Sequence, residues 1–280
     1  MLDKIRHAQS VEYVRRAVRD KAMRVVDDVV STYFRRQDDQ IDRLRSEVAD
    51  LRAELARATD RVVDHTSRIE IRARRDVVAA GEVEAAKESA AFVREHMLGA
   101  RHFDNPPATL EHALTLAPTG GLALEFGVFS GQTLKIIATA REGEQVFGFD
   151  SFEGLPENWR SGFPAGTFGV SELPDVPGAE LVVGWFADTL PDFMAAHEGP
   201  VDFLHVDADL YSAAVTVLEQ VGPRLRPGSI VVFDEYFNYP GWQRHEHRAW
   251  MEYVERTGTQ FDYVAYTYDH EQVVVRIVER

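Results

Sequence analysis

The chain has 280 residues, contains no cysteine and carries a formal net charge of −15 at pH 7. The absence of cysteine excludes disulfides and thiolate metal sites and favours an intracellular protein. No apolar run approaches the roughly 18 residues of a membrane span, and the first residues lack the apolar region of a signal peptide. We therefore expect a cytoplasmic protein without a membrane span.

The charge is distributed unevenly along the chain. Residues 1–100 contain 20 Lys and Arg against 19 Asp and Glu, whereas residues 101–280 contain 11 against 27. An acidic surface repels phosphate backbones, so we expect no nucleic-acid partner. The excess of acids also suits cation binding, although a solvated acidic surface is the commoner explanation.

Residues 3–36 carry apolar residues at helical spacing among arginines, which predicts an amphipathic helix. Its basic face has two interpretations. It could lie on an anionic membrane surface, or the helix could pack on a partner subunit. The second interpretation is favoured.

Residues 34–69 show a sustained heptad repeat with charged flanking residues, and no Gly or Pro precedes Gly81. The apolar members of the repeat are Phe34, Ile41, Leu44, Val48, Leu51, Leu55, Ala58, Val62 and Ile69. Gln37 and His65 are its polar exceptions. The repeat predicts a coiled coil and hence self-association; the alternative is one long helix folded back on the rest of the chain.

After the coiled coil the basic run 72–75 interrupts the heptads, and Glu82 to Met97 has the pattern of another helix. Asn105-Pro106-Pro107 marks a boundary. We therefore predict two domains, a helical and coiled-coil oligomerisation segment at 1–100 and a globular domain at 101–280.

From Thr109 the pattern alternates between strands and helices. The predicted strands are 121–127, 145–150, 179–184, 201–207, 229–234, 261–268 and 272–278; the predicted helices are 109–116, 131–141, 189–197, 211–222 and 245–257. The short link between the last two strands predicts an antiparallel hairpin. This order predicts an α/β, doubly wound and largely parallel sheet, with its ligand at the carboxyl ends of the strands.

The first of these strand ends carries Glu125, Gly127 and Gly131 between an apolar strand and a helix. Glycine at 127 would let the backbone turn sharply. Glycine at 131 would let a ligand approach the helix N-terminus, which favours a carboxylate or phosphate. Glu125 is unusual, because a buried acid is costly unless it meets a donor. A plain structural turn is the alternative.

The next two strand ends also carry acids. Asp150 is placed to accept the paired hydroxyls of a ribose, with a helix-capping role as the alternative. Trp185 and Phe186 offer an aromatic face, and Asp188 offers an acceptor that an adenine amine could use. A simple N-cap role explains Asp188 about as well.

The fourth and fifth strand ends bring Asp207, Asp234 and Glu235 to one edge of the predicted sheet. Clustered carboxylates do not all stay ionised without a counter-ion. Because the ligands are oxygens and cysteine is absent, Mg²⁺ or another hard divalent cation is favoured. In the alternative without metal, one acid is protonated or is paired with an arginine such as Arg244.

Four motifs, taken together, resemble a known family. They are Glu-Phe-Gly-Val-Phe-Ser-Gly from Glu125, Asp-Ser-Phe-Glu-Gly-Leu-Pro from Asp150, His-Val-Asp-Ala-Asp-Leu-Tyr from His205, and Phe-Asp-Glu-Tyr from Phe233. In this order and spacing they resemble the class I S-adenosylmethionine-dependent methyltransferases. Within that class they are most similar to the metal-dependent sugar O-methyltransferases typified by macrocin O-methyltransferase. The resemblance covers about residues 109–280.

The resemblance implies a seven-stranded methyltransferase sheet, S-adenosylmethionine as cofactor and Mg²⁺ as a second cofactor. The cofactor-binding residues that it implies are Glu125, Gly127, Phe129, Ser130, Gly131, Thr133, Asp150, Ser151, Phe152, Phe186, Asp188 and Asp207. The metal ligands would be Asp207, Asp234 and Glu235. The family usually has Asp or Asn where this chain has Glu235, so the third ligand departs from its pattern.

The function implied is methyl transfer to a hydroxyl of a sugar, a glycosylated metabolite or a polysaccharide, that is, a small-molecule or glycan acceptor. Asp207 is the first candidate for accepting the hydroxyl proton, followed by Asp209 and His245. The loop 152–178 has the length of a lid, and Trp242 and Tyr239 are candidates for stacking on the sugar.

Three other functions were weighed. A Rossmann dehydrogenase needs Gly-x-Gly-x-x-Gly, which the loop from Gly127 does not supply. A catechol O-methyltransferase would use the same metal geometry. A non-catalytic coiled-coil scaffold with a degenerate methyltransferase domain is disfavoured, because every cofactor and metal position carries workable chemistry.

Overall fold

One uninterrupted helix, α1, occupies Leu2–Arg75. The computed structural model describes residues 2–279, with side chains from Arg15 to Glu279; the apolar pattern predicted for residues 3–14 lies outside the described side chains. The helical prediction for this segment is confirmed. Without Gly or Pro nothing breaks the hydrogen-bond ladder, and pairs such as Arg68 with Asp64 at 3.0 Å support it from the exposed side. Association as a coiled coil stays a prediction.

The chain divides into two compact units, one ending at Asp76 and one starting at Val77. The helix α2 (Val77–His96) therefore belongs to the second unit, where Ala85 and Met97 are buried in the core. Its Ser89 accepts the backbone N–H of Asn238 at 2.9 Å. The predicted functional boundary near residue 100 stays a prediction.

The rest of the second unit alternates strands and helices as predicted. Its elements are β1 (Arg101–Phe103), α3 (Pro106–Leu116), β2 (Leu122–Phe126), α4 (Gln132–Ala140), β3 (Val146–Asp150), β4 (Glu180–Val183), α5 (Phe186–Ala196), β5 (Val201–Val206), α6 (Tyr211–Val221), β6 (Leu225–Phe233), α7 (Glu246–Thr257), β7 (Gln260–Thr267) and β8 (Val273–Glu279). Asn105, predicted as part of a boundary, caps α3: its side chain accepts the Ala108 N–H at 2.9 Å.

The strands form one sheet in the order β1-β7-β8-β6-β5-β2-β3-β4. β8 is antiparallel to β6 and β7, as the predicted hairpin requires, and the other pairs are parallel. The α/β doubly wound class is confirmed, but the sheet has eight strands rather than seven. The additional strand is β1, whose three residues pair with Ala265–Thr267.

Both faces of the sheet are buried, as a parallel sheet requires. Alternate residues of β2 enter different apolar clusters: Leu124 and Phe126 pack on one face, and Ala123 packs on the other. Strand order reverses between β2 and β5, which places a ligand crevice at their carboxyl ends.

Among residues 2–279, the helices are all too short or too polar to cross a bilayer.

Candidate active site

A cavity of about 370 Å³ opens at the carboxyl ends of β2, β3, β4, β5 and β6. The loop between β3 and β4 forms a second wall, and the β7–β8 turn closes a third side with His270 and Glu271. The predicted site residues that line it are Gly127, Phe129, Asp150, Ser151, Phe186, Asp207, Asp209, Asp234 and Glu235. The structure therefore brings together residues from five separate strand ends.

The predicted residues outside the cavity lining are Glu125, Ser130, Gly131, Thr133, Phe152, Asp188 and His245. Asp188 is exposed in the first turn of α5, whereas its neighbours Trp185 and Phe186 line the cavity. His245 precedes α7, and its Nδ1 is buried. Burial, with the charges of Arg160 and Arg244, lowers the pKa of His245, so the ring is neutral at pH 7.

The two glycines of the loop between β2 and α4 are packed closely against other parts of the chain. Gly127 has φ of +96°, and a Cβ there would lie 1.8 Å from the Asp207 carbonyl oxygen. A Cβ on Gly131, with φ of +74°, would lie 2.7 Å from a methyl group of Val176. Residues of the β3–β4 loop therefore require glycine at 131, and the approach of a ligand to the N-terminus of α4 stays a prediction.

Asp150, at the end of β3, joins the loop after β2 to the loop after β3. Its Oδ2 accepts the backbone N–H groups of Val128 and Phe129, both at 2.9 Å, and its Oδ1 accepts that of Phe152 at 2.7 Å. Phe129 and Phe152 both have positive φ, which these bonds help to hold. A carboxylate offers about four acceptor positions, so one position on Oδ1 is left for a ligand hydroxyl.

Beneath the cavity lies a buried ionic chain that the sequence analysis did not predict. His205 faces Glu125 across the β2–β5 register, with its Nδ1 2.8 Å from Glu125 Oε1 and its Nε2 3.4 Å from Asp234 Oδ1. Gln272 also donates to Asp234. A histidine inside an apolar strand was the available signal for this role.

The charges of this chain follow from its geometry. Burial lowers the pKa of His205, but the interactions with Asp234 and Glu125 outweigh burial and raise the pKa well above its usual value. Burial raises the pKa of Glu125. Burial also raises the pKa of Asp234, but His205 outweighs that effect and leaves the Asp234 pKa lowered. The imidazolium thus keeps Asp234 ionised beside the cavity.

The potential metal ligands around the cavity include two groups of three side chains, and the ligand atoms within each group lie within 4.8 Å of one another. His205, Asp207 and Asp234 form one group; Asp207, Asp209 and Glu235 form the other. Of the three predicted metal ligands, Asp207 belongs to both groups, Asp234 only to the first and Glu235 only to the second. The second group adds Asp209 as a further candidate ligand. Such separations fit oxygens at about 2.0–2.6 Å around a hard divalent cation.

The same acids are costly to ionise together. Burial first, and then the charge of Asp234, raise the pKa of Asp207 well above its usual range. Burial and the charge of Asp207 do the same for the pKa of Glu235, and burial raises the pKa of Asp209 to about 7. Without a cation the cluster therefore keeps protons at neutral pH. A cation would replace these protons, so the donor set fits Mg²⁺.

Glu246, at the start of α7, is another residue that the sequence analysis missed. Its carboxyl group is fully buried and accepts the Ala208 N–H at 3.3 Å and the Glu235 N–H at 3.1 Å. It therefore joins the loop after β5 to the loop after β6. No motif in the sequence marks it, because the contact depends on how α7 packs beneath both loops.

The β3–β4 loop is held to the β7–β8 turn by Arg160, whose Nη1 contacts both oxygens of Glu271 at 2.9 and 3.0 Å. The guanidinium stacks 4.0 Å from the ring centre of Trp159. Tyr239 and Trp242, predicted to stack on a sugar, are 1% and 3% exposed and pack in the core instead. Trp159 and Phe163 of the loop line the cavity in their place.

Comparisons with known proteins find similarity to methyltransferases. A family model described as a methyltransferase domain matches residues 124–236. A tetracenomycin-type rhamnosyl 4'-O-methyltransferase of Streptomyces olivaceus is 30% identical over 170 residues, covering 51% of this chain and 63% of the relative. The mycinamicin III 3''-O-methyltransferase of Micromonospora griseorubida is 28% identical, covering 57% of this chain and 73% of the relative.

The chain thus spans less than two thirds of the first relative's length. The crystal structure of CalS11, a calicheamicin methyltransferase, is 26% identical and covers 61% of this chain and 76% of its own, with a TM-score of 0.48. The resemblance found in the motifs is confirmed by the matched domain and by the two curated relatives. Residues 124–236 match the methyltransferase-domain model, and the chain is similar to two curated O-methyltransferases over about half of its length.

Proposed function

We propose that the chain transfers a methyl group from S-adenosylmethionine to a hydroxyl of a sugar or glycosylated metabolite, with assistance from Mg²⁺. The observation that carries the proposal is the buried acidic cluster around Asp207, which shares one cavity with Gly127 and Asp150. Both curated relatives are O-methyltransferases; one is named for the 4'-position of a rhamnosyl tetracenomycin and the other for the 3''-position of mycinamicin III.

Each part of the cavity has a task in this proposal. Asp150 would accept a ribose hydroxyl on the free position of Oδ1, while Trp185 and Phe186 would flank the adenine. The cofactor supplies an electrophilic methyl group when bound. The loop that carries Trp159 and Phe163 would exclude water from the reacting atoms.

The acids would prepare the acceptor. Asp207, Asp234 and Glu235 would hold Mg²⁺, which lowers the pKa of a hydroxyl that it contacts. Asp209 would take the hydroxyl proton as the oxygen–methyl bond forms and the sulfur–methyl bond breaks. In the cation-free protein, burial raises the pKa of Asp209 to about 7, and a general base works best with a pKa near the operating pH. His205 would keep Asp234 ionised and oriented.

Turnover of labelled S-adenosylmethionine with a panel of sugar, glycoside and catechol acceptors tests the proposal. We expect transfer to a sugar hydroxyl, its loss in EDTA and its return with Mg²⁺. Asp209→Asn should lower turnover by about 10²–10⁴-fold and leave affinity for S-adenosylhomocysteine unchanged. Full turnover in EDTA would reject the metal. Transfer only to catechols would reject the sugar acceptor, and no thermal shift with S-adenosylhomocysteine would favour a scaffold.

A further inference from the structure

One face of α1 carries two alternating rows of residues, which together form the predicted contact surface of the coiled coil; we call this surface the seam. The first row, which we call the a row, is Phe34, Ile41, Val48, Leu55, Val62 and Ile69; the second, the d row, is Gln37, Leu44, Leu51, Ala58 and His65. The large apolar side chains of the seam are widely exposed, from 43% at Ile41 to 67% at Leu55. An apolar stripe of this length in water needs a partner.

The seam's composition selects the number and direction of the strands. Four of the six a-row residues are Ile or Val, and both large apolar d-row residues are Leu. β-branched residues in the a row with leucine in the d row favour a parallel pair of helices. A second copy of this chain carries the same seam and satisfies this requirement along its whole length.

Charges beside the seam select the same arrangement. In a parallel pair with equal register, Glu47 lies opposite Arg52 of the second copy, and by symmetry the contact forms twice. The next such pair, Glu54 with Thr59, brings no like charges together. An antiparallel pair that overlaps the whole seam would instead place Glu47 against Glu54 and Arg45 against Arg52, which is repulsive.

The polar members of the d row also favour a parallel pair with equal register. Equal register places Gln37 opposite Gln37 and His65 opposite His65, so each polar side chain meets a polar partner. The antiparallel alignment would place Gln37 near Val62 and His65 near Phe34. Burying a polar group against an apolar one is costly.

We infer that α1 binds α1 of a second copy as a parallel, in-register, two-stranded coiled coil through residues 34–69. This goes beyond the proposed enzymatic function and does not depend on it. Both chains would leave the coiled coil at the same end, next to Arg75.

Because the natural chain has no cysteine, single-cysteine variants of the full-length protein test orientation and register directly. Leu44→Cys, in the d row, should form a disulfide-linked dimer nearly completely under mild oxidation. Ser46→Cys, on the opposite side of the helix, is the matched control and should not. Gln37→Cys repeats the test without removing an apolar contact. An antiparallel pair would leave Leu44→Cys unlinked but would link a mixture of Leu44→Cys and Leu55→Cys, which overturns the inference.

Charge reversal gives an independent test by light scattering at micromolar concentration. Glu47→Lys should raise the dimer dissociation constant by about three- to tenfold, since exposed ion pairs have modest effects. The double variant with Arg52→Glu should restore it. A monomeric or trimeric wild-type chain, or equal dissociation constants for all three proteins, would overturn the inference.

Discussion

The two units of the chain use the same apolar residues in opposite ways. In α1, Val48 and Val62 are 44% and 64% exposed, whereas Val231 and Val274 in the sheet are completely buried. Isolated helices gain most of their stability from packing an apolar face. The second unit supplies its own core on both faces of its sheet, and we infer that α1 finds one on a second copy of the chain. In this proposal, assembly and chemistry belong to different parts of the sequence.

The largest expected effect concerns where the second unit begins. A chain starting at Val77 should fold, bind S-adenosylhomocysteine and lose self-association. A chain starting at Ala100 also loses α2, which uncovers the surface that Phe92, Val93 and Met97 cover. Since deleting one buried aromatic side chain costs about 3–5 kcal/mol, this shorter chain should be largely unfolded. Circular dichroism and light scattering on both chains check the expectation. Equal melting temperatures of the two chains would mean that the second unit begins near residue 100.

The next largest effect is expected on cofactor binding in the second unit. Asp150→Ala removes the carboxylate that holds three backbone N–H groups and faces the cavity. Leaving such groups unpaired costs about 1–3 kcal/mol, so affinity for S-adenosylhomocysteine should fall about tenfold or more. Isothermal titration calorimetry measures it, with exposed Asp192→Ala as control. A change below about threefold would mean that Asp150 does not serve the cofactor.

A further effect is expected at Glu246, which does not line the cavity but accepts hydrogen bonds from two residues that do. Glu246→Gln keeps the shape but replaces one acceptor oxygen by an N–H donor, so one of the Ala208 and Glu235 amides loses its partner. Residues that orient metal ligands typically change metal affinity or activity about 10–100-fold. We expect weaker Mg²⁺ binding and lower turnover, with S-adenosylhomocysteine affinity unchanged.

Two measurements separate this positioning role from a general contribution to the fold. Hydrogen exchange at the Ala208 and Glu235 amides should become faster in Glu246→Gln. Glu255→Gln, exposed on the same helix, should behave as wild type in every assay. Unchanged Mg²⁺ affinity and turnover in a folded Glu246→Gln protein would contradict the role, as would a parallel loss of cofactor affinity.

These residues also show what the sequence could predict. The seven predicted strands followed from apolar runs, and most of the site acids followed from the ends of four of these strands. Strand β1 was missed because three residues carry no periodic pattern. His205 and Glu246 were missed because their roles arise from contacts across the sheet and from α7. The grouping of Glu235 with Asp209 depends on loop geometry that spacing does not encode.

The smallest effect expected is a pH dependence of stability that belongs to the second unit alone. Burial raises the pKa of Asp209 to about 7 in the folded protein, against an ordinary value near 4. Between about pH 4 and pH 7 the folded chain therefore keeps a proton that the unfolded chain has released. Stability falls with rising pH wherever the folded state binds more protons. The raised pKa values of Asp207, Glu235 and Glu246 act in the same direction.

In EDTA, the melting temperature should therefore decline as pH rises from about 4 to 7, and Asp209→Asn should make the decline shallower. Asp192→Asn, an exposed carboxylate on α5, is the matched control and should leave the slope unchanged. Adding Mg²⁺ at pH 8 should recover much of the loss, because the cation takes the place of the missing protons. The chain starting at Val77 should show the same slope as the full-length protein, since α1 contributes none of these groups. A wild-type slope in Asp209→Asn would show that this carboxyl group ionises freely, and the proton acceptor would then have to be sought at Asp207.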